Sequence, residues 1–229
     1  MVTAGAAVWR SGNTGGRLDA PLGHDITASL PDGTRITLAA GSHASWSASF
    51  GSRTRDAVLD GQGLFDVVHD AARPFRVHTR NAIAEDVGTR FIVRAWPEMD
   101  AVEVAVEQGV VALADSTRAR TSRGTLLRAG QRGNLVAGDS VVVTADAEVA
   151  LAWTRGELVF DNRALTEVLP AIGRRFDVDL RSDPALAHRR VTARFTAQSL
   201  DQVLNALAVS LDVRVETRGR TITLTPVLR

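Results

Sequence analysis

The side chains in this chain that could transfer protons, bind metal or attack a carbonyl are five histidines, 26 carboxylates and a scatter of serines. Their spacing does not gather them. His24, His43, His69, His78 and His188 are dispersed, with no two at the i, i+4 spacing that turns two imidazoles toward one metal. Asp66, His69 and Asp70 lie close enough to suggest an acid–base cluster, but they precede the turn Ala71-Ala72-Arg73-Pro74 and read as a solvated strand end. Ser42, in Gly41-Ser42-His43-Ala44-Ser45, lacks both the G-x-S-x-G frame and the following helix that a nucleophile elbow needs. Gly61-Gln62-Gly63 is half of a dinucleotide loop, yet it leads into an apolar strand, Leu64–Val68, where phosphate would need a helix N-terminus. With no cysteine, thiolate metal sites and disulfides are excluded. The expectation is a protein that is not an enzyme and holds no metal and no cofactor.

Composition narrows the alternatives. Net charge is +1, with fifteen arginines against seventeen carboxylates over residues 1–152 and twelve against nine thereafter. That balance lacks the basic face a nucleic-acid binder requires. Every cation is arginine, a planar, permanently charged fork suited to carboxylates. There is no apolar run of 18 residues to span a membrane. Met1–Trp9 is small and apolar without a basic leader, too short for a signal peptide; it reads either as the end of a membrane helix or as a frayed terminus. Residues 1–23, with Ser11–Gly16 and Asp19–Gly23 rich in small polar residues, read as a flexible juxtamembrane tether.

Residues 24–152 have the pattern of an all-β domain. Ile26–Leu30 and Arg35–Leu38 alternate about the turn Pro31-Asp32-Gly33, predicting a hairpin. Short strands follow at Asp56–Leu59, Leu64–Val68, Phe75–Thr79, Arg90–Ala95, Val102–Val106, Val110–Ala114, Leu126–Leu127, Leu135–Val136, Val141–Thr144 and Val149–Trp153. Their regular spacing suits a twisted sandwich or solenoid, and nothing here has a helical period. Glycines at 61, 109, 130 and 156 each follow an apolar strand end and mark reversals.

Residues 153–229 are written twice. Phe160–Leu180 and Phe195–Val215 superimpose without gaps at an offset of 35, matching Leu165 with Leu200, Val168 with Val203, Leu169 with Leu204 and Ile172 with Leu207. Apolar spacings of 3, 1, 3 and 4 put a stripe on one helical face, and a short alternating strand follows each helix. The unit is βαβ, with Thr221–Thr225 as an added strand, and two units burying their stripes on one shared sheet make a small α+β domain. Ser199-Leu200-Asp201-Gln202 is a capping box for the second helix. Arg174 and Arg175 close the first helix, where cations suit the dipole, and Arg181, Arg189, Arg190 and Arg194 flank the link between the units. These six are the candidate partner-binding residues; the alternative is ordinary solvated helix ends and loops.

Seven ordered segments carry a family resemblance: Leu30-Pro31-Asp32-Gly33-Thr34, Val58–Val67, Arg73–Val77, Val87–Val93, Val104–Val111, Leu127–Gln131 and Trp153–Asn162. Together they resemble the periplasmic region of FecR-like transmembrane anti-sigma regulators of the ferric-citrate type. Departures fall at Ala39, where Asn is frequent, and at Val87, where Leu is usual. The resemblance implies an all-β subdomain followed by one like the short N-terminal domain of secretins and TonB-dependent receptors. It also implies a periplasmic location, in an inner-membrane single-pass protein whose membrane tether and cytoplasmic sigma-factor-binding segment lie outside this chain. The implied partner is the N-terminal signalling domain of a TonB-dependent outer-membrane transporter. Two other readings stay open: an assembly module of a secretin-type complex, and a cell-wall glycan-binding β domain, although Trp9, Trp46, Trp96 and Trp153 are too dispersed for a sugar platform.

Overall fold

The computed structural model describes residues 15–86, 88–118, 124–196 and 198–227. Contacts divide the chain into two compact units, the second beginning at Ala152. The first unit contains β1 (Gly16–Asp19), β2 (Ile26–Ser29), β3 (Arg35–Leu38), β4 (His43–Trp46), β5 (Arg55–Asp66), β6 (Phe75–His78) and β7 (Ala82–Asp86). It continues with β8 (Arg90–Ala95), β9 (Ala101–Gln108), β10 (Val110–Asp115), β11 (Thr125–Arg128), β12 (Arg132–Val136), β13 (Val142–Thr144) and the short helix α1 (Ala147–Leu151). The second contains β14 (Glu157–Ala164), α2 (Leu165–Phe176), β15 (Asp179–Ser182), β16 (Arg190–Thr196), α3 (Leu200–Leu211), β17 (Val213–Arg218) and β18 (Thr221–Pro226).

One strand organises the first unit. The sequence suggests two short strands separated by Gly61, but β5 runs through it for twelve residues. Its first half pairs with β4 and β6, its second with β3 and β8. Gly61, at φ +107°, turns the strand from one sheet to the other, and a Cβ there would lie 2.6 Å from the Ser42 hydroxyl. Only glycine tolerates both the backbone angle and that approach. The result is a large mixed, near-barrel sheet in the order β11-β10-β7-β6-β5-β8-β9-β12-β13, antiparallel except for β5–β6. Phe65, Phe75, Phe91, Leu38, Leu113 and Leu127 are central members of its core. The expected hairpin is β2–β3, paired from Ile26↔Leu38 to Ser29↔Arg35.

Three features depart from the sequence reading. Residues 1–14 of the expected tether lie outside the described residues, and so does the Val87 departure. Within that tether, Gly16–Asp19 is a strand on β4, with Leu18 fully buried. Gly16 lies flat on the Trp46 indole, where a Cβ would sit 2.3 Å from the ring. The short alternation Arg17-Leu18-Asp19 is masked in sequence by its polar neighbours. Strands β4 and β7 carry no β-branched or aromatic run that would announce them, and only the sheet partners on each side define them. Val149–Trp153, read as a strand, is α1 followed by a 3-10 turn over Ala152–Arg155. A short apolar run cannot be told from a buried helical turn by periodicity, and its alanines favour the helix.

The second unit keeps the duplicated helices but not the single shared sheet. Equivalent strands pair with one another: β14 lies antiparallel to β16, while β18 inserts between β15 and β17. Phe160 faces Ala193 and Leu158 faces Phe195, pairs that exchange under the offset of 35, so a pseudo-two-fold axis passes between Val159 and Arg194. That axis relates β14 and β16 as antiparallel neighbours, while β15 and β17 lie in the separate three-stranded sheet with β18 between them. Phe160 and Phe195 meet edge to face, centroids 6.3 Å apart. Both helices end on an aspartate in the left-handed region, Asp177 and Asp212. The Ser199–Gln202 capping box forms as expected. Both stripes, including Leu165, Val168, Ile172, Val203 and Leu207, join one core.

Candidate partner-binding surface

The solvent face of the β14–β16 ribbon is built by alternation. On β16, Val191, Ala193 and Phe195 turn toward the helices, while Arg190, Thr192, Arg194 and Thr196 turn outward. Arg194 pairs with Glu157 of β14, and Arg155 reaches the same carboxylate at 3.2 Å. These two guanidiniums, Arg155 first, hold Glu157 below its ordinary pKa. Arg190 donates to the carbonyl of Asn162, and the Asn162 amide donates to the Thr192 hydroxyl. Arg189 is exposed beside them, with its carbonyl accepting from Leu165. The ribbon therefore sets Arg155, Arg189, Arg190 and Arg194 against Glu157 and the exposed Asp161, a local positive excess.

The other three candidates are elsewhere. Arg181 sits on β15, in the three-stranded sheet, and pairs with Asp179 at 2.6 Å, an interaction that raises its pKa. Arg174 and Arg175 lie half-buried in the last turn of α2, as a helix-dipole reading predicts. The six thus divide among a ribbon, a second sheet and a helix end. What the sequence could not show is the contribution of Glu157 and Arg155: they lie more than thirty residues before β16, and only the ribbon pairing brings them to Arg194.

The clusters considered for chemistry are structural. Asp66 pairs with Arg90, while Asp70 accepts from the amides of Ala72 and Arg73 and pairs with the Arg73 side chain. The Ser42 hydroxyl is fully buried and accepts from the Gln62 amide at 2.9 Å. Glu103, fully buried, lies between Arg94 and Arg132 at 2.9 and 3.1 Å, and Arg132 continues to Asp146. Among the described residues, no group of three histidine or acidic side chains could hold a metal ion. Trp46 and Trp96 are buried in the first unit.

Comparison with known proteins decides the family. A family model described as FecR protein matches residues 17–112, and one described as FecR, C-terminal, matches residues 157–224. The chain belongs to the FecR family. Two crystal structures of a candidate anti-sigma factor from Parabacteroides distasonis ATCC 8503, at 2.50 and 1.65 Å, are similar to it with TM-scores of 0.83 and 0.82. Each is 25% identical and covers 93% of this chain and 99% of the other. A search of curated proteins gives no match. The FecR-like chain has an anti-sigma-factor type of signalling role. Among its described residues no helix is long and apolar enough to cross a membrane.

Proposed function

We propose that this FecR-family chain is the periplasmic sensor region of a single-pass anti-sigma regulator. It contacts the N-terminal signalling domain of a TonB-dependent outer-membrane transporter and relays the transporter's state to a cytoplasmic sigma factor through a segment outside this chain. The observation that carries this reading is the ordered match of both FecR regions onto the two units, residues 17–112 and 157–224. The architecture suits a contact role: the second unit presents strand edges and an arginine-rich ribbon face rather than a reaction pocket. A transient signalling contact of modest area corresponds to a Kd of roughly micromolar order. Calorimetric titration with signalling domains of the TonB-dependent transporters from the same genome tests it. Heat of binding saturating in that range is expected. Absence of heat at about millimolar protein, a concentration at which even weak complexes form, would refute the reading.

A further inference from the structure

We infer that the free edge of β16 is the docking element, and that it takes an extended strand from the partner in which acidic residues alternate with apolar ones. This rests on the docking reading above and goes further by naming the edge and the chemistry of its occupant.

Register identifies which groups face outward. The Leu165 amide donates to the Arg189 carbonyl, and Arg163 stands opposite Val191. Residues 189, 191, 193 and 195 therefore direct their backbone groups at β14, because alternate residues of an antiparallel ladder bond the same neighbour. Arg190, Thr192, Arg194 and Thr196 direct their N–H and C=O groups at the open side. The irregularity of the ribbon falls on β14, between Phe160 and Arg163, and leaves β16 straight.

Comparison with the other edges singles this one out. Among the described residues, β1, β2, β11, β13 and β15 are edges of three or four residues, too short to template a stable ladder. β14 is bulged at Asn162, where φ is +48°. β17 has six residues but mixes charges of both signs, Arg214, Glu216 and Arg218. β16 offers seven regular residues, no proline, no acid and charge of one sign. Pairing with a second copy of β16 would set arginines against arginines, which opposes association. An incoming strand with carboxylates on the face of Arg190 and Arg194, and apolar residues on the face of Val191 and Phe195, satisfies both the backbone and the local positive excess.

The test uses the full chain and the transporter signalling domain that binds it in the calorimetric titration. Residue-resolved hydrogen exchange on the chain alone should show the Ala193 and Phe195 amides protected and those of Thr192 and Arg194 open. Saturation with the signalling domain should slow exchange at Thr192 and Arg194 by about tenfold or more, as expected for new ladder bonds. Thr192→Pro removes one outward donor together with the hydroxyl that accepts from the Asn162 amide, and should weaken binding about tenfold, whereas Thr192→Val, which loses that same hydroxyl but keeps the outward N–H, should bind like the parent. Arg190→Glu with Arg194→Glu should slow association and blunt its salt dependence. Binding without new protection at Thr192 and Arg194 overturns the edge assignment and leaves the docking reading standing. Absence of any binding by the parent chain overturns both.

Discussion

Replacing Leu165 by alanine tests whether the two repeats share one cooperative core. Leu165 opens α2 with 0% of its surface exposed, and its equivalent in α3, Leu200, is half-buried at the edge of the same cluster. A fully enclosed leucine cut to alanine costs about 2–5 kcal/mol, the upper part of the range where neighbours cannot collapse into the gap. The Leu165 backbone is held by the hydrogen bond from its amide to the Arg189 carbonyl, so the upper half, about 3–5 kcal/mol, is expected. Leu200→Ala, which exposes less new cavity, should cost about 1–2 kcal/mol. In domains of 60–100 residues each kcal/mol lowers Tm by about 4–8 °C, so Leu165→Ala should shift the transition of the second unit by more than 10 °C. Calorimetry resolving the two units reads the shift, and hydrogen exchange reads its extent. The α3 amides should lose protection together with those of α2. Loss confined to α2, with α3 exchanging as in the parent, would refute a shared core.

Three further outcomes follow from the first unit. Gly61→Ala should destabilise by about 1–3 kcal/mol in denaturant titration, because alanine must adopt φ +107° and push against Ser42. Glu103→Ala should cost about 3–5 kcal/mol by the same measurement, since it leaves the Arg94 and Arg132 guanidiniums without their buried carboxylate. The Thr117 hydroxyl, the Gly138 amide and the Thr117 amide hold Asp115 down from 3.8 to about 2. Its contribution is therefore fully present above the ordinary value and lost as pH falls through about 2. Asp115→Asn should flatten that acid limb, and unfolding curves at pH 5 and pH 2 that differ from the parent by equal amounts would contradict it.

The legible parts of this chain were those with a period. The helical stripe from Leu165 to Phe176 and its copy from Leu200 to Leu211 repeat at a fixed offset, and the structure places both in one core. The hairpin around Pro31-Asp32-Gly33 carried its own turn chemistry. Sheet membership was not legible, because it is decided by partners far away in sequence. Gly61 signals a break in a local reading; only β3, β4, β6 and β8 together reveal that it is a corner inside one strand. The shared sheet expected for the repeats failed for a similar reason. Sheet membership of each βαβ unit is set by long-range pairings such as Leu158 with Phe195, 37 positions away, and Leu180 with Ile222. Proximity in sequence groups Arg181 with Arg190, although they sit on different sheets.

Duplication explains both the stability of the second unit and its available edge. Only β14 and β16 pair directly about the two-fold axis, β15 and β17 are joined through β18, and both sheets stay open with two edges each. The tail strand β18 fills the gap between β15 and β17, but the β14–β16 ribbon has no such insert. Natural sheets blunt their edges by shortness, bulges or charge. Here β14 is bulged, β15 is short and β17 carries charges of both signs, whereas the charged residues of β16 are arginines alone. Arginine on an edge strand discourages pairing with copies of itself while leaving the backbone open to a strand that brings carboxylates. The same side chains thus guard against self-association and select the partner, and the symmetry of the repeat is broken at the strand where a signalling contact needs it to be.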